Sequence, residues 1–314
     1  MVPFIIIDAM GFWLKRITLF LLPLMASFLA FEWYCRHETF FAIKKQYALN
    51  NLSHFEVVFT GTSQIEKGIR VSTDHPKYLN WAAPGQSFPF EYELWKKYLH
   101  QMPNVKWVGI EMSHVRMYLS PLPDDWSANV YWIHYDIPFK VNTLNPRRSF
   151  HMFQDYDFFK QVVHRAWNPW EEKSIIETTG FAPNDFKERF WDCQYDTSLI
   201  RSTFKMKYDF KLSKSLLQEN LSYLDSTLQL LTAQGVRPFL IIPPLYKTFE
   251  KAIPQKVNKE FMDALTSVKE KYDIQIFNFQ SSNEFQTTDF YNDNHLNPDG
   301  AKKWFEMIQD SLAK

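Results

Sequence analysis

The sequence predicts an α/β fold, a three-layer α/β/α sandwich around a five-stranded parallel sheet, carried behind an N-terminal membrane helix. Three observations predict it. Short apolar runs rich in β-branched residues recur along the chain, amphipathic helical patterns separate them, and one long apolar run stands near the N-terminus. Strands alternating with helices imply parallel pairing through right-handed crossovers, and sites in such sheets form beyond the carboxyl ends of the strands.

The N-terminal run comes first. After Lys15 and Arg16 the chain reads ITLFLLPLMASFLAF, residues 17–31, followed by EWYCRH. With Trp33 and Tyr34 as interfacial residues, its length approaches the roughly 17 to 25 residues that span a bilayer, and Pro23 is tolerated in a membrane helix. The preceding basic residues keep the N-terminus cytoplasmic and put the rest of the chain outside. No small-x-small cleavage site precedes the domain, so a retained anchor is expected over residues 1–35, with the domain at 36–314. Met10 is also a plausible start.

Four strand runs follow: HFEVVFTG (54–61), NVKWVGIEMS (104–113), RPFLIIPP (237–244) and YDIQIFNF (272–279), with a short fifth strand at Tyr78 to Asn80. Helical spacing appears at Leu94, Trp95, Tyr98 and Leu99. It recurs at Leu217, Leu221, Leu224, Leu228 and Leu231, closed by Gly235, and again at Val257, Phe261, Leu265 and Val268. The last helix begins with Asn297 as N-cap and Pro298 at its first position, followed by Ala301, Trp304, Phe305, Ile308 and Leu312. Residues 114–214 have weak periodicity and are too long for an ordinary loop, so a partly helical insertion over the site is expected. Its aromatics, in YLSPLPDDWSANVYWIHYDIPF and HRAWNPWEEK, suit either stacking on sugar rings or a small core of the insertion's own.

Lys+Arg and Asp+Glu both total 35, so no basic excess points to nucleic acid. The nine histidines are scattered, and neither an H-E-x-x-H nor a C-x-x-C pair occurs, so no metal site and no cofactor are expected. Cys35 and Cys193 would face a disulfide-permissive compartment, and separate free thiols are the default reading.

Two loops carry candidate chemistry. In VVFTGTSQIEKGI, Gly61 permits a tight turn and Ser63 stands where the first strand ends and a helix can begin, although a serine there can also simply cap that helix. In FYNDNHLNPDGAKKW, residues 290–304, His295 lies in a loop two residues ahead of the helix start, with Asp289, Asp293 and Asp299 near it in sequence. The bland alternative is a solvated turn. This is not a G-x-S-x-G elbow, because Ile65 occupies the second glycine's place.

Gly61-Thr62-Ser63 after the first strand, with His295 before the last helix, resembles the SGNH (GDSL-type) hydrolase superfamily. The anchor, the stretch LNWAAPGQSFPFEYELWKKYLHQMPNVKWVGIEMS (79–113), the strand ending in Pro243-Pro244 and the HLNPDGA turn are similar to its membrane-anchored members of the D-alanyl transfer (DltD) and alginate O-acetylation kind. The likeness covers most of the chain except 114–214. It implies a flavodoxin-like sandwich, Ser63 as nucleophile and His295 as base, with Gly85 in PGQS as an oxyanion donor beside the Ser63 N–H. Two departures stand out. IEMSHVR replaces the superfamily's G-x-N-D block, leaving Ser113 as a substitute donor. Asn292 occupies the usual acid position, leaving Asp293 as the expected acid, with Asp289 or Asn292 itself as the other candidates to orient His295, as a backbone carbonyl does in some members. Glu111 and His114 could line the site. Two functions follow from the resemblance: a serine esterase or O-acyltransferase acting on acyl groups of a surface polysaccharide, or a noncatalytic accessory of a membrane-bound O-acyltransferase.

Overall fold

The computed structural model describes residues 2–119, 126–139, 144–151, 177–181, 189–196, 198–200 and 213–313, with single positions at 160, 163, 167 and 202. Helix α1 (Val2–His37) contains the apolar run and passes through Pro23 without ending. Within Phe12–His37 an 18-residue stretch reaches a mean hydropathy of 1.6, and by length and composition the helix can cross a membrane. Leu19, Phe20 and Leu22 on it are exposed. Thr39 then donates its hydroxyl hydrogen to the Cys35 carbonyl, and α2 (Phe40–Asn50) leads into the domain.

The sheet comprises β1 (Val57–Thr60), β2 (Tyr78–Asn80), β3 (Trp107–Glu111), β4 (Arg237–Ile242) and β5 (Gln275–Asn278), all parallel, in the order β2-β1-β3-β4-β5. This is the doubly wound order that reverses at β1/β3. Around the sheet lie α3 (Ser63–Gly68), α4 (Phe88–Tyr98), α7 (Lys214–Ala233), α8 (Lys247–Ala252), α9 (Gln255–Tyr272) and α10 (Pro298–Leu312). Between α4 and α7 come α5 (Trp126–Tyr135) and the short α6 (Arg189–Asp192).

Side chains alternate across each strand, which sorts the core into two layers. Val58, Ile110, Leu240 and Ile242 pack on one face with Leu94, Trp95, Leu224, Leu228 and Phe261. Val57, Phe59, Phe239 and Ile241 pack on the other with Ile65, Trp304, Phe305 and Ile308. Burying each such aliphatic or aromatic side chain contributes roughly 1.5 to 3 kcal/mol. Gly109 in β3 makes room for this packing, since a Cβ there would meet the ring of Phe239 at 2.7 Å and that of Phe59 at 2.9 Å.

The five expected strands are all present, Tyr78–Asn80 with the expected bounds and the other four shorter than their apolar runs, because the ladder extends only as far as its neighbours do. Glu56, ahead of β1, instead pairs with Lys77 and Lys106. Part of the aromatic insertion is core: Tyr131 of α5 stacks on Phe90 at 4.6 Å and is buried with Ala128 and Tyr135. Within HRAWNPWEEK only Trp167 falls among the described residues, where it is exposed. Cys35 and Cys193 are free thiols.

Candidate active site

Gly61 closes β1 with φ 155°, and a Cβ there would meet Glu111 Cβ and Oε2 at 2.5 Å. Only glycine lets the chain turn this tightly against β3. Thr62 then caps α3, its hydroxyl accepting from the Gln64 N–H, and Ser63 becomes the first helical residue. The Ser63 N–H has no protein acceptor among the described residues.

His295 is in a hairpin rather than the open loop expected from sequence. β6 (Phe290–Asn292) and β7 (His295–Leu296) pair antiparallel around Asp293 and Asn294. Gln64 Nε2 donates to the Asn294 carbonyl at 3.1 Å, which ties α3 to this hairpin. Ser63 Oγ and His295 Nε2, 232 residues apart in sequence, stand 2.9 Å apart. On the other side of the ring, Nδ1 is 3.1 Å from Asn292 Oδ1. The same oxygen accepts the Asn294 backbone N–H at 3.1 Å. An amide N–H can only donate, so the Asn292 atom facing the ring is its oxygen and Nδ1 carries a proton. In the neutral ring Nε2 is then the acceptor for the serine proton.

Of the residues left open for orienting His295, Asn292 is therefore at hydrogen-bond distance from Nδ1, and it is buried. Asp293 is fully buried, with its carbonyl accepting the Tyr246 N–H at 3.0 Å. The Asp289 carboxylate is engaged in the turn, accepting from the Gln286 N–H and Lys303 Nζ, while its carbonyl accepts from the Asn297 N–H.

The loop after β2 lies against the Ser63 turn. Ala83 N–H donates to the Gly61 carbonyl at 3.1 Å, and Gly61 N–H donates to Gln86 Oε1 at 2.9 Å. Gly85 sits between those two contacts, exposed, with φ 71°. Ser113 has a different task from the one expected. Its hydroxyl has one hydrogen, and that goes to Glu111 Oε1 at 2.7 Å, so it is not free to face an oxyanion.

Sequence reasoning left Glu111 as one of several lining residues, and the structure makes it central. Its buried carboxylate accepts from the Thr62 N–H, the Thr62 hydroxyl and the Ser113 hydroxyl. Arg116, also fully buried, donates to the Glu111 carbonyl, the Gln86 carbonyl and the Glu91 carboxylate, and lies over the Phe88 ring. Strand β3, the loop carrying Gly85 and α4 are thereby joined around the turn. An acidic residue at the end of a buried strand, two residues before a serine, was the available signal. His114 bonds Asn258 at 3.0 Å and stacks on Phe261 at 4.0 Å, and burial lowers its pKa. Among the described residues no group of three or more His, Cys, Asp and Glu could hold a metal ion.

No protein-family model matches the chain, and no curated protein matches its sequence. In structure it is similar to a chain from Bacteroides fragilis described as a "putative acylhydrolase", at 12% identity and a TM-score of 0.40, over 86% of this chain and 95% of that one.

Proposed function

We propose that this protein is a membrane-anchored, extracytoplasmic serine esterase or O-acyltransferase acting on acyl groups of a cell-surface polysaccharide. The observation that carries the reading is the 2.9 Å contact of Ser63 Oγ with His295 Nε2, on a ring whose opposite nitrogen is held by Asn292. Serine is a weak nucleophile until a positioned base takes its proton. In the proposed reaction His295 takes that proton as Ser63 Oγ attacks the ester carbonyl, and the Ser63 and Gly85 N–H groups face the oxyanion. Imidazolium then protonates the departing alkoxide. Water, or a second hydroxyl in transfer, attacks the acyl-serine with His295 again accepting the proton, and His295 returns it to Ser63 Oγ as the bond between Oγ and the acyl carbon breaks. The N-terminal helix and the basic residues before it support the anchored topology.

A second reading, a noncatalytic accessory of a membrane-bound O-acyltransferase, draws on the neutral Asn292 beside His295 and on the commitment of the Ser113 hydroxyl to Glu111. The test is hydrolysis of 4-nitrophenyl acetate and covalent labelling by a fluorophosphonate, using the full chain in detergent micelles. The enzyme reading expects both to vanish in Ser63→Ala. Turnover that survives in Ser63→Ala eliminates the serine mechanism, and full rescue of surface acylation in cells by that variant establishes the accessory reading.

A further inference from the structure

The part of the insertion that packs on the His295 hairpin holds a concave feature. Trp191, Asp192, Gln194 and Tyr195 line an open cleft of about 490 Å³. Phe190 of α6 points inward, buried against Tyr246 at 4.9 Å and Phe290 at 6.3 Å, whereas its neighbour Trp191 is 50% exposed. The Trp191 and Tyr195 rings meet edge to face, 6.3 Å apart at 80°. The turn joining them is tight: Gln194 N–H donates to the Trp191 carbonyl at 2.8 Å and Tyr195 N–H to the Phe190 carbonyl at 2.7 Å. Gln194 and Tyr195 both adopt left-handed backbone conformations, φ 51° and 59°. Such a conformation is disfavoured for a non-glycine residue and is usually retained where the surrounding structure fixes it.

This shelf hangs from the hairpin that carries His295. Tyr246, against which Phe290 and Phe190 pack, donates its N–H to the Asp293 carbonyl, and Phe290 faces Leu296 across the ladder. On the other flank, burial and then the charge of Asp299 push the Tyr195 phenol up, and Asp299 is the second residue of α10.

We propose that this cleft is a subsite for a sugar ring of a polyhydroxylated glycan, with the ring stacked on Trp191 and bounded by Tyr195. The proposal rests on the esterase or acyltransferase reading and names the residues that hold the acyl-bearing polymer. A pyranose has an apolar C–H face and a rim of hydroxyls. The indole meets the face, while the Asp192 carboxylate accepts and the Gln194 amide both donates and accepts at the rim. Among the described lining residues the charged group is the Asp192 carboxylate, which suits a sugar hydroxyl as an acceptor.

The test is saturation-transfer NMR on the full-length Ser63→Ala chain in amine-oxide micelles, a detergent without a sugar headgroup. The probes are β-1,4-linked hexasaccharides of glucose, xylose, N-acetylglucosamine and mannuronate. At least one should receive transfer, strongest on ring C–H protons. Trp191→Ala should weaken its Kd by about tenfold, and Trp191→Phe should recover part of the loss. Transfer to none of the four at millimolar concentration, or equal binding by Trp191→Ala, overturns the proposal. Ester hydrolysis by the wild-type chain is read separately, so the shelf and the Ser63–His295 reading fail independently.

Discussion

Removing the Glu111 carboxylate should loosen the turn that presents Ser63, and the cost can be worked from its hydrogen bonds. Three buried donors end on it: the Thr62 N–H, the Thr62 hydroxyl at 2.9 Å and the Ser113 hydroxyl at 2.7 Å. A buried donor left unpaired costs about 1 to 3 kcal/mol. The two hydroxyls can rotate toward other acceptors, but the backbone N–H cannot. Glu111→Ala should therefore destabilise the domain by about 3 to 6 kcal/mol, a large part of the 5 to 15 kcal/mol that typically holds a domain folded. Glu111→Gln keeps one acceptor oxygen and should cost only about 1 to 2 kcal/mol. Because Thr62 both caps α3 and precedes Ser63, the Gln variant should also slow fluorophosphonate labelling by about 10- to 100-fold, as a displacement near 1 Å can. Urea denaturation of the full chain in micelles, with labelling rates on the same samples, measures both. A Glu111→Ala protein that loses less than about 1 kcal/mol and labels at the wild-type rate would refute the reasoning.

Three further outcomes are expected. Asn292→Asp places an anion at Nδ1 and favours imidazolium, so the acid limb of the labelling rate against pH should move up by about one to two units, and an unmoved limb counts against the Asn292–His295 contact. Lys44, buried with its Nζ on the Ala82 carbonyl, has a pKa lowered to about 7 from 10.5 by burial. Between those values the unfolded chain binds the extra proton, so stability should rise with pH by up to about 1.4 kcal/mol per unit. Lys44→Met should remove that slope from urea midpoints collected across this range. Gly61→Ala puts a methyl group 2.5 Å from Glu111 and should cost about 2 to 4 kcal/mol with loss of labelling, whereas a variant stable and labelled as wild type would show that the turn can yield.

The kinds of element and their order were legible in the sequence because they depend on local periodicity. The Val57–Thr60 run, the leucine spacing from Leu217 to Leu231 and the Asn297-Pro298 start of the last helix each carry their own signal within a few residues. The apolar N-terminal run was equally plain, since the capacity to span a bilayer is read from length and composition. Ser63 and His295 could each be singled out, one at a strand end and one before a helix.

Their meeting was decided by tertiary structure. Strand order depends on how all five strands bury both faces together, and only that packing brings two loops 232 residues apart to within 2.9 Å. The hairpin around Asp293 was hidden because its strands are too short to show an alternation. Hydrogen-bond roles were hidden for a similar reason. Asn292, Asp293 and Asp289 are all polar and all lie within six residues of His295, but a shift of one residue in a strand turns a side chain to the opposite face. That the Ser113 hydroxyl would be taken by Glu111 likewise depended on which groups the fold brings within reach. The sequence by itself determined the layers, the long apolar N-terminal run and the places of Ser63 and His295 at element ends, because these follow from local pattern. Only the folded chain decided that Asn292 meets the imidazole and that Glu111 holds the serine turn, because hydrogen bonds depend on positions to a few tenths of an ångström set by contacts distant in sequence.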